Sequence, residues 1–252
     1  MTENTVTTVI FFQIYVEIMV VLWYNKLDVL CFGGGFVIMD LHNHTVFSYD
    51  GSNTPEEIIE HAILHGFDAV GICDHEFTIK DRLGDYIRYL HRCKEKYKKD
   101  IKVLVGLEVS MCPPPENFMG QDIMGLDYIL FERLDRFNAT DLSDFLELRR
   151  EFDCPVGLAH CDIFKMSEDY GVDMLEIMRR ENIFWELNTS GNYNYYYDFL
   201  TNESKRTAVK RSGVGVSIGS DTHAIFEFRK KQIINANKLI RDMALPLPFR
   251  MK

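Results

Sequence analysis

Residues 40–44 read Asp-Leu-His-Asn-His and follow the short apolar run of residues 37–39. In a β-strand, successive side chains point to opposite faces, so His42 and His44 share a face at the end of a predicted strand, with Asp40 behind them. Such a His-x-His pair can offer two ring nitrogens to one metal ion, at about 2.0–2.1 Å for zinc. Two histidines on a solvated surface are the ordinary alternative, so the pair needs support from the rest of the chain.

Metal-type side chains directly after an apolar run recur in four further places. Five of the eight histidines of the chain lie in the five clusters. Because imidazole and carboxylate are ligands of zinc, manganese and iron, this recurrence predicts one multinuclear metal site. Asp74 is adjacent to His75, so we interpret His75 as a ligand and Asp74 as a residue that either orients it or has a structural role. The four further clusters are Asp74-His75, Glu108, His160 and Asp221-Thr222-His223.

The chain alternates apolar runs with helical patterns, which is typical of repeated β-α units in an α/β fold. Each metal-type cluster lies at the carboxyl end of a predicted strand, where parallel barrels place their active sites. The alternation of strands and helices and the positions of the metal-type residues therefore indicate the same fold, although each comes from a different signal. The predicted strands are residues 37–41, 69–72, 102–109, 128–131, 156–159, 184–187 and 216–218.

The clearest helix start is Thr54-Pro55-Glu56-Glu57, where Thr54 and Glu57 have the spacing of a capping box and Pro55 suits the first helical position. His61 and His65 follow Glu57 at helical spacing, and we interpret that face as solvated rather than as a ligand set. Further helices are predicted over residues 82–97, 141–152, 173–181, 204–212 and 228–243.

The bulk properties limit the function classes. A length of 252 residues fits one barrel domain, and a formal net charge of -10 argues against a surface for long nucleic acid. A small phosphorylated substrate stays compatible with that charge, while the oligomeric state is open. The six cysteines contain no Cys-x-x-Cys pair, so a reduced, cytoplasmic compartment is the simplest inference.

Residues 1–38 differ in character from the rest of the chain. Residues 6–24 are strongly apolar and close to the length of about 20 residues that a membrane anchor needs, but Glu17 at the centre is costly in a bilayer. We favour translation from Met39, because codons for Gly33-Gly34-Gly35 can contain a purine-rich ribosome-binding sequence. Residues 1–38 would then be a leader absent from the native protein, with residues 39–252 as a barrel domain that has no membrane association. N-terminal mass analysis of the native protein tests this hypothesis.

The ordered motifs closely resemble the PHP family, named for polymerase and histidinol phosphatase. The likeness spans residues 39–223 and begins with Asp40-Leu41-His42-Asn43-His44-Thr45, continuing to Ser48-Tyr49-Asp50-Gly51. Its later motifs are Gly71-Ile72-Cys73-Asp74-His75, Gly106-Leu107-Glu108, Ala159-His160 and Gly219-Ser220-Asp221-Thr222-His223. The resemblance implies a distorted (β/α)7 barrel with two or three divalent ions of zinc, manganese or iron.

The resemblance also implies three ligand groups. The first ion would be held by His42, His44, Glu108 and Asp221. Glu108 would bridge to a second ion that His160 also binds. The third would be held by Asp50, His75 and His223. Spacing alone does not select Asp50, which otherwise reads as a turn residue before Gly51.

One departure from the family pattern follows the fourth predicted strand. The family commonly has a histidine there, whereas this chain reads Glu132-Arg133-Leu134. Glu132 can substitute as an oxygen ligand and Arg133 can bind phosphate, or both can be ordinary surface charges. Asn188 and Arg229 are further candidate substrate contacts.

The leading hypothesis for function is metal-dependent hydrolysis of a small phosphate ester. Glu108 would hold two ions together, and Asp221 or His223 would move a proton. Histidinol phosphate is one candidate substrate and a nucleotide is another. A metal-stabilised module that binds a partner protein without catalysis and a metal-dependent amide or lactone hydrolase remain as alternatives.

Overall fold

The computed structural model describes residues 36–114, 123–136 and 139–249. Seven strands form one sheet in sequential order, and every neighbouring pair is parallel. The strands are β1 (Met39–Asp40), β2 (Ala69–Ile72), β3 (Lys102–Ser110), β4 (Tyr128–Glu132), β5 (Val156–Leu158), β6 (Ile183–Asn188) and β7 (Val216–Gly219). All seven predicted strands are present, although β1 is shorter than predicted.

The first and last strands meet through the residues that follow them. The Leu41 amide donates to the Ile218 carbonyl at 2.8 Å, and the Asp221 amide donates to the His42 carbonyl at 2.9 Å. The sheet therefore curls into a nearly closed barrel, which confirms the predicted (β/α)7 architecture. This closure brings the first metal-type motif against the last one.

Helices fill most of the connections between strands. The capping box predicted at Thr54 is present, since its side chain accepts from the Glu57 amide while the Glu57 carboxylate accepts from the Thr54 amide. The helices are α1 (Pro55–Leu64), α2 (Glu76–Ile79), α3 (Leu83–Tyr97), α4 (Leu142–Arg150), α5 (Ile163–Tyr170), α6 (Met174–Arg180), α7 (Asn194–Thr201), α8 (Glu203–Ser212) and α9 (Lys230–Asp242). Two 3-10 turns cover Lys80–Arg82 and Ile225–Glu227.

Three of these helices, α2, α5 and α7, were not among the predicted ones. Each begins within about six residues of the end of a strand, close to the polar or metal-type side chain that ends or follows that strand. In α5 the carboxylate of Asp162 caps the helix by accepting from the Phe164 and Lys165 amides. A short helix whose start lies beside a functional motif gives little independent periodic signal, which is why the sequence pattern missed it.

The barrel interior is packed with strand side chains that are buried on both faces. Tyr128 on β4 is fully buried and its hydroxyl donates to the Leu41 carbonyl, so it ties the middle of the sheet to the first strand. Gly106 makes room for this ring, because a Cβ there would stand 2.4 Å from the Tyr128 Cζ. The core therefore fixes the strand ends that carry the chemistry.

Residues 1–35 of the predicted leader lie outside the described residues, so the hypothesis of a start at Met39 stays a prediction. Within the described ranges, no helix has both the length and the apolar character needed to cross a bilayer. The five cysteines of those ranges carry free thiols. Cytoplasmic location also stays a prediction.

Candidate metal centre

The carboxyl ends of β1, β3 and β7 bring four of the predicted ligands within a few ångströms of one another. The Nε2 atoms of His42 and His44 are 3.0 Å apart. Glu108 Oε1 lies 3.2 Å from His42 Nε2, and Asp221 Oδ1 lies 3.3 Å from His44 Nε2. Both histidine rings are fully buried. Two imidazole nitrogens and two carboxylate oxygens therefore converge on one point at the carboxyl end of the barrel.

A second group forms around Asp50. His75 Nε2 and His223 Nε2 lie 3.4 Å and 3.3 Å from Asp50 Oδ2. Together with His44, these residues each offer a ligand atom, and the atoms all lie within 4.8 Å of one another. The turn that carries Asp50 thus faces the ends of β2 and β7 rather than solvent alone.

A third group contains the glutamate that departs from the family pattern. His160 Nε2 lies 3.1 Å from Glu108 Oε1 and 3.6 Å from Glu132 Oε2. His75, Glu108 and Glu132 also offer ligand atoms within 4.8 Å of one another. Glu132 is 3% exposed, so it is a buried carboxylate at the centre and not a surface charge.

The backbone at three strand ends has a left-handed conformation that residues with a Cβ rarely adopt. The φ angles are 66° at Arg133, 36° at His160 and 55° at Asp221. Such conformations cost about 1–3 kcal/mol each and persist where the surrounding structure imposes them, often at functional sites. Here each one turns the chain sharply at the strand end while its residue stays at the mouth of the barrel.

Glu186 on β6 is a buried carboxylate that sequence reasoning missed. Its Oε1 lies 2.6 Å from His42 Nδ1, and its Oε2 accepts from the His160 amide at 2.8 Å and from Asn188 Nδ2 at 3.0 Å. A carboxylate on a ring nitrogen fixes the orientation of the other nitrogen, which here faces Glu108. The available signal was a glutamate inside the apolar run 183–187, on the same strand face as Asn188.

We predict that Glu186→Gln lowers metal affinity by about 10–100-fold, the range found when a carboxylate that orients a ligand histidine is lost. The amide that replaces one oxygen cannot accept from both His42 and the backbone of His160. A zinc titration against a competing chelator measures the effect. Glu168→Gln changes an exposed glutamate on α5 and serves as the matched control. Equal affinities in the two variants would contradict the orienting role.

Two buried aspartates hold the motif loops in place without facing the ligand groups. Asp40 accepts from the amide and hydroxyl of Ser220 at 2.9 Å and 2.6 Å, which ties the first motif to the last. Asp74 accepts from the amides and hydroxyls of Thr45 and Ser48. Both carboxylates therefore organise backbone, as was predicted for Asp74. Burial raises the pKa of Asp40 to about 6, despite the hydrogen bonds from Ser220.

Tyr193 also reaches the centre. Its ring stacks on His160 with centroids 4.8 Å apart and planes 3° from parallel. Its hydroxyl donates to Asp221 Oδ2 at 3.4 Å. The residue that precedes α7 thus covers one side of the ligand groups.

The predicted substrate contacts lie in three different settings. Asn188 is fully buried, and its side chain holds Glu186 and accepts from the Ser190 amide instead of facing the open side. The Arg133 side chain is half exposed and donates to Glu132 Oε2 at 3.1 Å. Arg229 is exposed and lines a cavity of about 660 Å³ at the mouth, together with Asp50, Asp221 and His223.

The ionisable groups of the centre strongly shift the pKa values of one another. Burial alone would raise the pKa of Glu108, but His42, His160 and His75 hold it well below its usual value. Burial opposes the charged ring of His160, yet its hydrogen bond to Glu108 raises the pKa to about 9. For Glu132, burial and the charge of Glu108 raise the pKa. Without metal, the neighbouring imidazoles therefore favour the ionised form of Glu108, whereas burial beside that charge favours the protonated form of Glu132.

We expect zinc loading of the metal-free protein to release at least one proton at pH 7.5. The pKa of His160 is raised from 6.5 to about 9, so its metal-free ring is protonated at that pH, and a ring nitrogen must lose its proton to bind metal. As the pH rises past 9, proton release should fall and the affinity for zinc should increase. Calorimetry in buffers of different ionisation enthalpy measures the release. A binding enthalpy independent of the buffer would contradict the prediction.

The donor set fits divalent metal ions. Asp50 Oδ1 and Glu132 Oε1 are buried oxygens without a hydrogen-bond partner among the residues that the structure describes. Buried polar atoms are rarely left unpaired in proteins unless a water or an ion satisfies them. Nitrogen and carboxylate oxygen donors in this proportion suit zinc, manganese and iron.

Comparisons with known proteins agree with this geometry. A family model described as the PHP domain matches residues 40–202. An uncharacterised protein of Methanocaldococcus jannaschii is 25% identical over 221 residues, which cover 83% of this chain and 95% of that protein. The histidinol-phosphatase of Lactococcus lactis is 23% identical over 173 residues, or 64% of this chain and 55% of that protein.

A crystal structure shows the same fold. The histidinol phosphate phosphatase of Lactococcus lactis, solved in complex with zinc, L-histidinol and phosphate, superposes with a TM-score of 0.61. The superposition covers 83% of this chain and 95% of that one, at 17% sequence identity. At that identity the likeness extends to the barrel and not to the substrate.

Proposed function

Because this chain belongs to the PHP domain family, we propose that it is a metal-dependent phosphoesterase that hydrolyses a small phosphate ester at a multinuclear centre. One observation supports the proposal above the others. Six separate strand ends deliver imidazole and carboxylate groups to three overlapping clusters, which are linked through shared residues such as Glu108 and His44. A structural metal site is usually closed by four ligands, whereas this one opens to a cavity through Asp50, Asp221 and His223.

The residues assigned to each ion follow the observed groups. His42, His44, Glu108 and Asp221 would hold one ion, and Asp50, His75 and His223 would hold another. Glu108, His160 and Glu132 would hold a third. When bound, two or three ions of zinc, manganese or iron would polarise a phosphoryl oxygen and lower the pKa of water.

The chain itself would position the ester and handle the protons. Water adds to phosphorus, the bond to the leaving alcohol breaks, and the alcohol oxygen takes a proton. His223 is only partly buried and borders the cavity, and Asp221 lies beside it, so either group would pass that proton whenever it does not hold an ion. Arg133 presents a half-exposed guanidinium group beside Glu132 that would pair with phosphate oxygens, and Arg229 presents one at the mouth of the cavity, where it would contact the substrate.

A substrate panel tests the proposal. Protein stripped of metal with a chelator is reloaded with zinc, manganese or iron. It is then assayed for phosphate release from phosphomonoesters, including histidinol phosphate, and for release of the alcohol from diesters. We expect turnover of a small monoester only after reloading. Bound metal without turnover of any ester would overturn the proposal and favour the non-catalytic module. Turnover of an amide or a lactone alone would favour the alternative of a metal-dependent amide or lactone hydrolase.

Glu132 tests how far this chain departs from its family. We expect Glu132→Gln to lower the number of ions bound per chain, because a neutral amide oxygen is a weaker ligand than the carboxylate that lies 3.6 Å from His160 Nε2. Elemental analysis after removal of free metal measures the stoichiometry, with Glu168→Gln as the control. An unchanged metal content would remove Glu132 from the ligand set.

A further inference from the structure

The cavity beside Asp221 and His223 has one apolar feature that does not contribute to the packing of the barrel. Its wall includes Phe226, whose side chain is 84% exposed. The nearest apolar residues of the same turn behave differently, since Ile225 and Phe228 both pack against the hydrophobic core. An exposed aromatic ring at the mouth of a cavity is available to stack on a planar group that enters it.

The backbone that presents Phe226 is held firmly. The Ile225 amide donates to Asn53 Oδ1 at 3.0 Å, and the Glu227 amide donates to the Ala224 carbonyl at 2.8 Å. The Phe228 ring is stacked on His65 and lies edge-on to His61, with centroids 5.5 Å and 4.7 Å away. Phe226 therefore sits on a fixed turn, three residues after the candidate ligand His223.

Polar side chains also line the cavity. They include the Asn192 amide and the Arg229 guanidinium. Arg229 lies directly over Gly191, since a Cβ at that position would meet its Nη1 at 2.2 Å. Gly191 also has a φ of 83°, so both its backbone and its lack of a side chain suit this close approach. At about 660 Å³ the cavity falls in the size range of small-molecule sites, well beyond what a phosphate group fills.

We propose that this cavity binds the leaving group of the substrate and that Phe226 selects leaving groups that carry a planar, hydrogen-bonding ring. The ring stacks on Phe226 while Asn192 and Arg229 contact its polar edge, and the phosphate lies at the Asp50, Asp221 and His223 side of the same cavity. The inference rests on the proposed phosphoesterase function and names the class of ester that this chain prefers. Phe226 is a specificity residue here and takes no part in bond breaking.

Two probe esters isolate the ring. Adenosine 5′-monophosphate and ribose 5-phosphate share the same 5′-phosphoester, and only the first carries a planar base. We expect the metal-loaded protein to prefer the first, and Phe226→Ala to lower kcat/KM for it about tenfold through KM, because aromatic stacking contributes mainly to binding. For ribose 5-phosphate the same variant should change kcat/KM less than about twofold, since no ring is present to stack.

Leu64→Ala is the matched control, because Leu64 is a 77% exposed apolar residue on α1 and lies outside the cavity. It should leave both esters unaffected. Equal losses for both esters in Phe226→Ala, or no loss for either, would overturn the leaving-group inference while the phosphoesterase proposal stands. If the unaltered protein hydrolyses neither these esters nor any member of the wider panel, the proposed function itself fails, and the inference falls with it.

Discussion

Replacing both His42 and His44 with alanine is expected to abolish metal-dependent turnover and to remove most of the bound metal. The two Nε2 atoms are 3.0 Å apart and both rings are fully buried, so no other side chain can move in to replace them. His42 also contacts Glu108, and His44 contacts Asp221. The double variant therefore takes two nitrogen donors from the group and leaves the two carboxylates facing each other.

The loss of activity and of bound metal expected for the double variant exceeds the loss expected for Glu186→Gln. Losing a residue that orients a ligand typically costs 10–100-fold in activity, so losing two ligands should cost more than about 100-fold. Elemental analysis measures bound metal, and phosphate release measures turnover. His91→Ala is the control, because His91 is exposed and its ring forms a hydrogen bond with the Gly125 carbonyl instead of facing the ligand groups. Unchanged activity in the double variant would contradict the ligand assignment.

The fold of the double variant should persist, because the packed strands lie below the ligands. Trp185, Tyr128 and Phe131 are fully buried. Their hydrogen bonds and ring contacts involve neither of the two histidines. An unchanged far-UV circular dichroism spectrum would separate loss of the site from loss of the fold. Should alanine leave too large a cavity, the pair His42→Gln and His44→Gln removes the same nitrogens with less change in volume.

The sequence predicted the barrel well because two independent signals pointed to the same residues. Strands of this fold are buried on both faces, so they read as short apolar runs, and all seven were found. The metal-type residues His42, Glu108 and His160 directly follow or end such runs. Parallel strands put their carboxyl ends at one face, so the order along the chain was enough to predict that these residues converge.

Other parts of the site could not be predicted because they depend on contacts across the barrel. Glu186 belongs to the site only because closure of the sheet places its strand beside His42. Tyr193 belongs because its loop folds back over His160. The left-handed backbone at Asp221 leaves no mark in composition or periodicity, since its energy comes from the surrounding structure. Asn188, in contrast, was identified from its position at a strand end, but its amide turns inward to Glu186.

Gly219 is the position where a single methyl group should damage the centre most. It is the last residue of β7, and a Cβ there would stand 2.0 Å from Glu186 Oε1 and 2.6 Å from His42 Cβ. Neither distance is compatible with van der Waals contact, so Gly219→Ala must displace the carboxylate, the imidazole or the strand. Glu186 and His42 are both fully packed, so the displacement cannot be absorbed by a flexible chain end.

We expect Gly219→Ala to destabilise the fold by about 1–3 kcal/mol, the usual cost of added volume in a packed interior. Metal affinity should fall by at least as much as in Glu186→Gln, because the same hydrogen bond to His42 Nδ1 is broken and the ring is also pushed aside. Denaturant unfolding of the metal-free protein measures the first effect, and a chelator-competition titration measures the second.

Gly84→Ala supplies the control for the substitution itself. Gly84 lies in α3, and a Cβ there would meet only the Arg88 guanidinium at 3.3 Å, the end of a flexible side chain that can move away. Alanine in a helix restricts the unfolded chain, so this variant should be as stable as the parent or more so. If Gly219→Ala matched it in stability and bound metal normally, then Glu186 would not hold His42 in the way that the structure shows. Position 219 has no room for a side chain, because the Glu186 carboxylate and the His42 imidazole occupy the space where that side chain would be.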